Sequence, residues 1–365
     1  MKTAMNLIEQ VGQTAGTRDL ILTTFPEHRS GNVGDHLITH SLVKLLARRI
    51  PDFAPKVLFR EESLDGFADG TLRSIIAPGF SVLDETYPKL FGLYSDIERL
   101  RDFYPIGCSF QHTLPAHSAF HEHRYGEATL AFLKMVVGRS GPLPCRDQLI
   151  VDMLMKNGID ALYSGDLAIY DEDRIGTQFS APRSIKSIVV SVQHHDRYDD
   201  QSFELLRQVK ARFDSARLFI AMHSKPNKRS LKVVAFAAGL GFETLSLSGD
   251  VENLRAYDAI DLHIGYRLHG HIAFLRQRKP SVLLIEDARS FGLANTPGTA
   301  VGCFDALSMD TMAGDIEVPG RVLEYVEAQI KNGFSDYNSV FEFVDATYAT
   351  VIKPYFDKLA KKIAQ

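Results

Sequence analysis

An arginine and a histidine stand two residues apart where a short apolar run gives way to a helical pattern. The run Leu262 to Gly265 predicts a strand, and the apolar period that starts near His269 predicts a helix, so Arg267 falls in the turn between them. A guanidinium there can pair with a carboxylate or phosphate, helped by free amides at the helix start. His269 can serve as an acid. The turn suits an anionic ligand; a structural salt bridge and a helix cap are the alternative interpretation.

A second candidate element is a glycine-rich turn near the start of the chain. Its residues are Gly31, Asn32, Val33, Gly34 and Asp35. The turn lies between a predicted strand, Asp19 to Phe25, and a predicted helix, His36 to Arg48. Glycines let a backbone approach a ligand closely, and the Asp35 carboxylate can orient or deprotonate a hydroxyl. A tight turn with Asp35 as the helix cap is the alternative interpretation.

A third element pairs an arginine with acidic residues. Arg146 and Asp147 open a predicted helix that runs to Asn157, and Gly165 and Asp166 follow the next predicted strand. Arg146 can bind an anion, or it can form an ion pair with Asp147 or another neighbour.

Together, these three elements resemble the polysaccharide pyruvyl transferase family. The turn Arg267, Leu268, His269 and Gly270, followed by Pro280 and a basic loop from Asp287 to Gly292, is similar to the family's C-terminal signature. The glycine-rich turn and the Arg146 segment are similar to its two earlier motifs. The resemblance extends in order from about Gly31 to Gly292.

This resemblance implies a reaction and a set of site residues. Pyruvate would pass from phosphoenolpyruvate to a sugar of a polysaccharide precursor, giving a pyruvyl ketal and phosphate, with an undecaprenyl-diphosphate-type lipid as the expected carrier. Phosphoenolpyruvate is the donor substrate, and no cofactor is expected. The resemblance implies donor binding and catalysis for Arg146, Arg267 and His269. We further expect Leu268 and Gly270 to help bind the donor, His269 to be the acid, and Asp35 to orient or deprotonate a hydroxyl. The residues expected to contact the acceptor or form its loop are Gly31, Asn32, Gly34 and His223.

Further polar residues follow two predicted strands of the second half. His194 and His195 follow one strand, and His223 and Lys225 follow the next. They can line the donor site, and the cluster Lys225 to Arg229 can hold a phosphate, although exposed loop residues are the commoner case.

Three histidines in the second half raise the question of a metal. His269 and His271 stand two apart at a helix start and point in different directions, while His263 lies in the preceding strand. No metal site is predicted.

Composition limits the partners. The 365 residues carry a net charge of -4 with dispersed cations, so no nucleic-acid partner is expected.

No apolar run is long enough for a spanning helix, and the first fifteen residues lack a signal-peptide layout, which predicts a cytoplasmic location. The run Lys358 to Lys362 is compatible with contact at the inner face of the cytoplasmic membrane, or with ordinary solvated charge. The composition gives no indication of an oligomeric state.

Strands and helices alternate through most of the chain, which predicts an α/β fold with parallel sheets. Two Rossmann-like domains should face each other across a cleft, in an arrangement similar to a GT-B glycosyltransferase. We place the acceptor-side domain at residues 1–175, the donor-side domain at 185–320, and C-terminal helices that pack back across both domains at 321–365. Two rival functions stay open: a glycosyltransferase that uses a nucleotide-sugar, and a catalytically silent sugar- or phosphate-binding protein.

Overall fold

A computed structural model describes residues 18–24, 31–112 and 120–364 of the chain. The twelve strands named here are β1 Asp19–Thr23, β2 Lys56–Phe59, β3 Ser74–Pro78, β4 Phe103–Ile106, β5 Leu143–Cys145, β6 Ala161–Tyr163, β7 Ser187–Ser191, β8 Arg217–Met222, β9 Glu243–Ser246, β10 Leu262–Gly265, β11 Ser281–Ile285 and β12 Cys303–Asp305. The α-helices are α1 Val33–Ala47, α2 Glu127–Ser140, α3 Gln148–Lys156, α4 Asp199–Arg212, α5 Lys228–Gly239, α6 Leu268–Arg276, α7 Ala288–Ala294, α8 Val318–Lys331, α9 Tyr337–Thr347 and α10 Lys353–Ala364. Phe25, the predicted last residue of the first strand, lies outside the described residues.

The first sheet is parallel and contains four strands in the order β2-β1-β3-β4. β5 and β6 form a parallel pair of their own, joined to the end of β4 by a bridge between Cys108 and Cys145. Strands β1, β3 and β4 are almost wholly buried, as expected for a parallel sheet covered on both faces. The order 2-1-3-4 reverses direction between β1 and β3, and ligands of such sheets bind at this reversal.

The second sheet has six parallel strands in the order β12-β11-β10-β7-β8-β9. Counted from β7, this is the Rossmann order 3-2-1-4-5-6, which reverses between β7 and β10. Ile264 of β10 is in register with Val190 of β7 and Val282 of β11. These two parallel sheets confirm the predicted α/β class with two Rossmann-like units.

The C-terminal helices contact both halves of the chain. α8 packs on α4 of the second half, and α10 reaches α1 of the first. Arg49, just after α1, donates to the Asp357 carboxylate of α10 at 2.8 Å. A π-helical turn, Tyr348–Ile352, lies between α9 and α10 and ends two residues before Pro354, whose nitrogen has no N–H to donate to a helical carbonyl. The proposed division at 1–175, 185–320 and 321–365 stays a prediction.

One buried arginine connects the two halves beneath their sheets. Arg276 at the end of α6 places Nη1 2.9 Å from each of Ser41 Oγ, Ala168 O and Tyr170 O. Its Nη2 lies 3.4 Å from Asp171 Oδ2. Burial lowers the pKa of Arg276, against the effect of Asp171. Because the acceptors belong to the first half and the arginine to the second, this guanidinium stabilises their association.

Replacing Arg276 should therefore destabilise the protein strongly. In Arg276→Met the buried Ala168 and Tyr170 carbonyls lose their donor, and we expect a loss of about 3 kcal/mol in the free energy of unfolding, measured by urea denaturation. The control is Arg321→Met, at a side chain that is 59% exposed and pairs with Asp315 at 3.0 Å, where the change should stay below about 0.5 kcal/mol. Equal stabilities of the two variants would contradict the role of Arg276.

Candidate active site

A cavity of about 180 Å³ lies where the carboxyl ends of strands from both sheets meet. Its lining residues are Leu22, Thr23, Thr24, Asn32, Asp35, Ile38, Arg60, Pro78, Gly79, Phe91, Ser109, Gln111, Arg146, His269 and Arg289. All of these except His269 and Arg289 belong to the first 175 residues. We call this space the main cavity.

Arg146 follows β5 and brings a buried guanidinium to the main cavity. The residue is 6% exposed. Its Nε lies 3.8 Å from Asp147 Oδ2 and its Nη1 lies 3.8 Å from Asp166 Oδ2. Nε and Nη2 have no hydrogen-bond partner within the described part of the chain. Burial raises the pKa of Asp147 to about 6, although Arg146 opposes this shift. Neighbouring carboxylates therefore balance part of the charge of Arg146, but its Nε and Nη2 can still donate to an anion.

His269 lies next to Arg146 and shares its carboxylate partner. His269 Nε2 is 3.4 Å from Asp166 Oδ2, and neither atom has a hydrogen-bond partner of good geometry among the residues described. The other Asp166 oxygen accepts from the backbone N–H of Ala168 at 2.9 Å. Burial alone would raise the pKa of Asp166, but His269 and Arg146 outweigh it and hold that pKa below its usual range. Asp166 thus stays ionised and orients both side chains.

The glycine-rich turn forms the wall behind His269. A Cβ atom on Gly34 would lie 2.4 Å from His269 Nδ1, so only glycine fits. Asn32, rather than Asp35, caps α1, since its side chain accepts from the backbone N–H of Gly34 at 3.1 Å. Asp35 lines the main cavity, where its Oδ1 accepts from Asn32 Nδ2 at 3.3 Å. The turn therefore brings an amide and a carboxylate to the imidazole.

Loops of the second half hold this turn in place. Gly31 has a φ of 55°, and its carbonyl accepts from Ser248 Oγ at 2.7 Å and from Gly249 N at 2.9 Å. The backbone N–H of Val33 donates to the carbonyl of His223 at 2.9 Å. The turn is thus part of the contact between the two halves.

Arg267 borders a smaller neighbouring pocket instead of lining the main cavity. Its Nη2 donates to Ser224 Oγ at 3.1 Å and to Asn32 Oδ1 at 3.3 Å. Burial lowers the pKa of Arg267 to about 10, against the effect of Glu286. Arg267 therefore does not line the main cavity itself but donates a hydrogen bond to Asn32, which does.

The other predicted residues of this segment pack below the site. Leu268 is 6% exposed, and a Cβ atom on Gly270 would lie 2.9 Å from His263 Nε2. His263 and His271 both contact Ser281 Oγ at 2.8 Å in the core. Neither Leu268 nor Gly270 lines the main cavity, and His223 lines the smaller pocket.

Two further arginines, which have no predicted role, line the main cavity. Arg289 lies in the predicted basic loop and donates through Nε and Nη2 to Asp287 Oδ2 at 2.8 and 2.6 Å. Burial would lower the pKa of Arg289, but Asp287 outweighs it and raises that pKa. Arg60 directly follows β2, with its guanidinium 5.4 Å from the centre of the Phe91 ring. The apolar run Val57 to Phe59 directly before Arg60 was the available signal.

Basic side chains outnumber acidic ones on the wall of the main cavity, although carboxylates lie behind them. Three arginines line it and Asp35 is the single acidic residue among the described lining residues, while Asp166 and Asp287 lie next to Arg146 and Arg289. This arrangement suits a small polyanion with several oxygens.

The fold and this cavity define an α/β protein with an anion site between two Rossmann-like units. The family model for polysaccharide pyruvyl transferase matches residues 32–287, well over half of the chain. The chain belongs to this family. No curated protein matches the chain.

Several solved structures are similar at low identity. The accessory secretory proteins 1, 2 and 3 of Streptococcus pneumoniae share 10% identity, covering 98% of this chain and 57% of that chain, with a TM-score of 0.41. TarM of S. aureus shares 10%, covering 80% and 55%, with a TM-score of 0.43. The wall teichoic acid polymerase TagF shares 11%, covering 100% and 93%, with a TM-score of 0.45. The chain thus spans little more than half of the first two proteins.

Across the described ranges, no helix combines the length and the apolar character needed to cross a membrane.

The contact between Gly34 and His269 predicts a specific defect. In Gly34→Ala the new methyl group overlaps the imidazole, which must move, and we expect the initial rate of pyruvyl transfer to fall about 100-fold. The matched control is Gly138→Ala in α2, where a Cβ atom meets nothing within 4 Å. That variant should keep the wild-type rate and gain about 0.5 kcal/mol of stability. A wild-type rate in Gly34→Ala would show that the position of His269 is unimportant.

Proposed function

We propose that the protein transfers the pyruvyl group of phosphoenolpyruvate to two hydroxyls of a sugar in a polysaccharide precursor, forming a ketal and releasing phosphate. The observation that supports this most directly is the buried Arg146, whose Nε and Nη2 have no partner within the described residues and which lines the same cavity as His269. An unpaired buried guanidinium is costly unless a ligand completes its contacts. A small polyanion beside a proton donor is what the reaction requires.

The donor is placed by its negative charges. Its phosphate and carboxylate would pair with Arg146 and Arg289, which line the main cavity, while Arg267 acts from its border through Asn32. Leu268 and Gly270 support this arrangement from below by packing. The cavity takes residues from both halves of the chain, so the donor would bind at the contact between them.

The proposed chemistry begins with protonation. His269 delivers a proton to the methylene carbon of phosphoenolpyruvate, which becomes a methyl group, and C2 becomes electrophilic. A first sugar hydroxyl attacks C2, and its proton passes to a base, for which Asp35 is the candidate. The bond between C2 and the phosphate oxygen then breaks, and the phosphate leaves with the arginines balancing its charge. A second hydroxyl attacks C2, and its proton leaves with the phosphate or returns to His269.

The acceptor would enter from the side of the glycine-rich turn, where Asn32 and Asp35 line the main cavity. We propose a lipid-linked sugar as the acceptor, presented at the inner face of the cytoplasmic membrane. Lys358, Lys361 and Lys362 are exposed on α10 and would face an anionic surface.

Donor binding can be tested by thermal shift. Phosphoenolpyruvate should raise the melting temperature of the wild type, since a ligand that binds only the folded state stabilises it, and UDP- and GDP-sugars should not. Arg146→Met should abolish the shift. The control Arg207→Met, at an exposed side chain paired with Glu204, should keep it. A shift with a nucleotide-sugar and none with phosphoenolpyruvate would favour a glycosyltransferase.

Catalysis can be separated from binding at His269. In His269→Gln the rate of phosphate release in the presence of acceptor should fall by a factor on the order of 100 to 10,000, the usual contribution of a general acid, while the Kd for phosphoenolpyruvate changes less than about threefold. His195→Gln is the control, because His195 follows β7 but lines neither pocket. Undiminished turnover in His269→Gln would remove the acid from the mechanism.

A further inference from the structure

A second pocket of about 50 Å³ adjoins the main cavity at the carboxyl ends of β7 and β8. Its lining residues are Val192, Gln193, His194, Met222, His223, Ser224, Lys225, Asn227, Arg229, Ser230 and Arg267. The proposed reaction assigns no substrate group to this space. We call it the second pocket.

The second pocket is positively charged. Lys225, Arg229 and Arg267 line it, and its described lining residues include no aspartate or glutamate. Helix α5, twelve residues long, begins at Lys228 beside it and directs the positive end of its dipole there. Asn227 caps that helix by accepting from Ser230 N at 2.9 Å. The surroundings therefore favour an anion.

A buried histidine supplies independent support for a ligand. His223 is 2% exposed, and its Nε2 lies 2.6 Å from the Tyr257 hydroxyl. Its Nδ1 has no hydrogen-bond partner within the described ranges. An unmade hydrogen bond at a buried nitrogen is costly, so a ligand oxygen at Nδ1 would recover that free energy.

The hydrogen bond between His223 and Tyr257 sets the role of Nδ1. Burial lowers the pKa of His223 far below its usual range, with Arg267 adding to the effect, so the imidazole is neutral. Burial also raises the pKa of Tyr257, so its hydroxyl keeps its proton. In the tautomer in which that hydroxyl donates to Nε2, the imidazole proton resides on Nδ1, and the second pocket then presents an N–H to an acceptor oxygen.

Size and donor number indicate the ligand class. A volume of about 50 Å³ exceeds the roughly 10–15 Å³ that one water needs, and it leaves room for a tetrahedral group. Side chains of two arginines, a lysine, two histidines and two serines are among those that surround it. These donors outnumber the two oxygens of a carboxylate, whereas a phosphoryl group offers three or more.

Arg267 connects the two spaces. It lines the second pocket, and its Nη2 donates to Asn32 Oδ1 at 3.3 Å, on the wall of the main cavity beside Asp35. One ligand can therefore place a sugar near Asp35 and a phosphoryl group beyond Arg267.

We infer that the second pocket binds one phosphoryl group of the acceptor. This group belongs to the diphosphate that joins the sugar to its carrier. This inference rests on the proposed function for the sugar's position, but the phosphoryl site itself depends only on the second pocket. Arg229 and His223 would contact the phosphoryl oxygens, and Arg267 would separate this group from the donor.

The test uses Arg229→Ala and a matched control, Lys228→Ala. Both residues carry one positive charge at the start of α5, but only Arg229 lines the second pocket. Isothermal titration of geranyl diphosphate, inorganic phosphate and phosphoenolpyruvate into the full chain gives three dissociation constants for each variant. We expect geranyl diphosphate to bind about tenfold more weakly to Arg229→Ala, the usual loss for a charged hydrogen bond, and to change less than about twofold in Lys228→Ala. Phosphoenolpyruvate should bind both variants as it binds the wild type.

Each other outcome would contradict a defined part of this inference or of the proposed function. Equal weakening in both variants would reflect overall charge and would overturn the site. Weaker phosphoenolpyruvate binding in Arg229→Ala would assign the second pocket to the donor and overturn the inference. Inorganic phosphate binding as tightly as geranyl diphosphate would indicate released phosphate rather than the carrier as the source. If the wild type binds geranyl diphosphate through Arg229 but fails to bind phosphoenolpyruvate, the phosphoryl site stands and the proposed function falls.

Discussion

The carboxylate of Asp166 is the interaction on which the site depends. It lies 3.8 Å from Arg146 Nη1 and 3.4 Å from His269 Nε2, although these two side chains come from opposite halves of the chain. A buried guanidinium without a countercharge is costly in a medium of low dielectric constant. The buried carboxylate between the two side chains offsets that cost and fixes both positions. Because each distance exceeds a good hydrogen bond, both groups keep capacity for a ligand.

Close backbone approach sets the other limit on the site. Gly34 brings the glycine-rich turn against His269, and a Cβ atom on Gly292 would lie 2.5 Å from Asp147 Cγ. The first contact fixes the imidazole, and the second presses the basic loop against the Arg146 segment. Side chains at either glycine would separate elements that must touch. Each of these two contacts joins motifs from distant parts of the sequence, which are therefore adjacent for steric as well as electrostatic reasons.

Much of this arrangement could be predicted from sequence, because strand ends in parallel sheets meet at one edge. The predicted bounds of β10, Leu262–Gly265, agree with the structure. Strands β5 and β12 were not predicted, since each has three residues and β5 contains a proline. The helix α1 begins three residues before its apolar period because Asn32 caps it. Periodicity cannot locate such a cap.

The site itself was predictable by residue type but only partly by position. Arg146, His269, Asp35 and Asn32 meet at the main cavity, whereas Arg267 lies on its border, because a helix start directs neighbouring side chains apart. The sequence shows that Arg60 follows a strand, but it cannot show that this strand ends at the same cavity. That information lies in the order of the strands.

The hydrogen-bond donors that line the main cavity give the ligand a structural role. Arg60, Arg146, Arg289 and His269 line it, and Arg146 Nε and Nη2 have no partner among the described residues, so a polyanion would accept from these groups. His269 and Arg289 belong to the second half of the chain and the other two to the first. An anion that contacts both sets therefore stabilises the association of the halves as well as its own binding, and the two effects are thermodynamically linked. The same polyanion that reacts would thus complete the site in which it reacts.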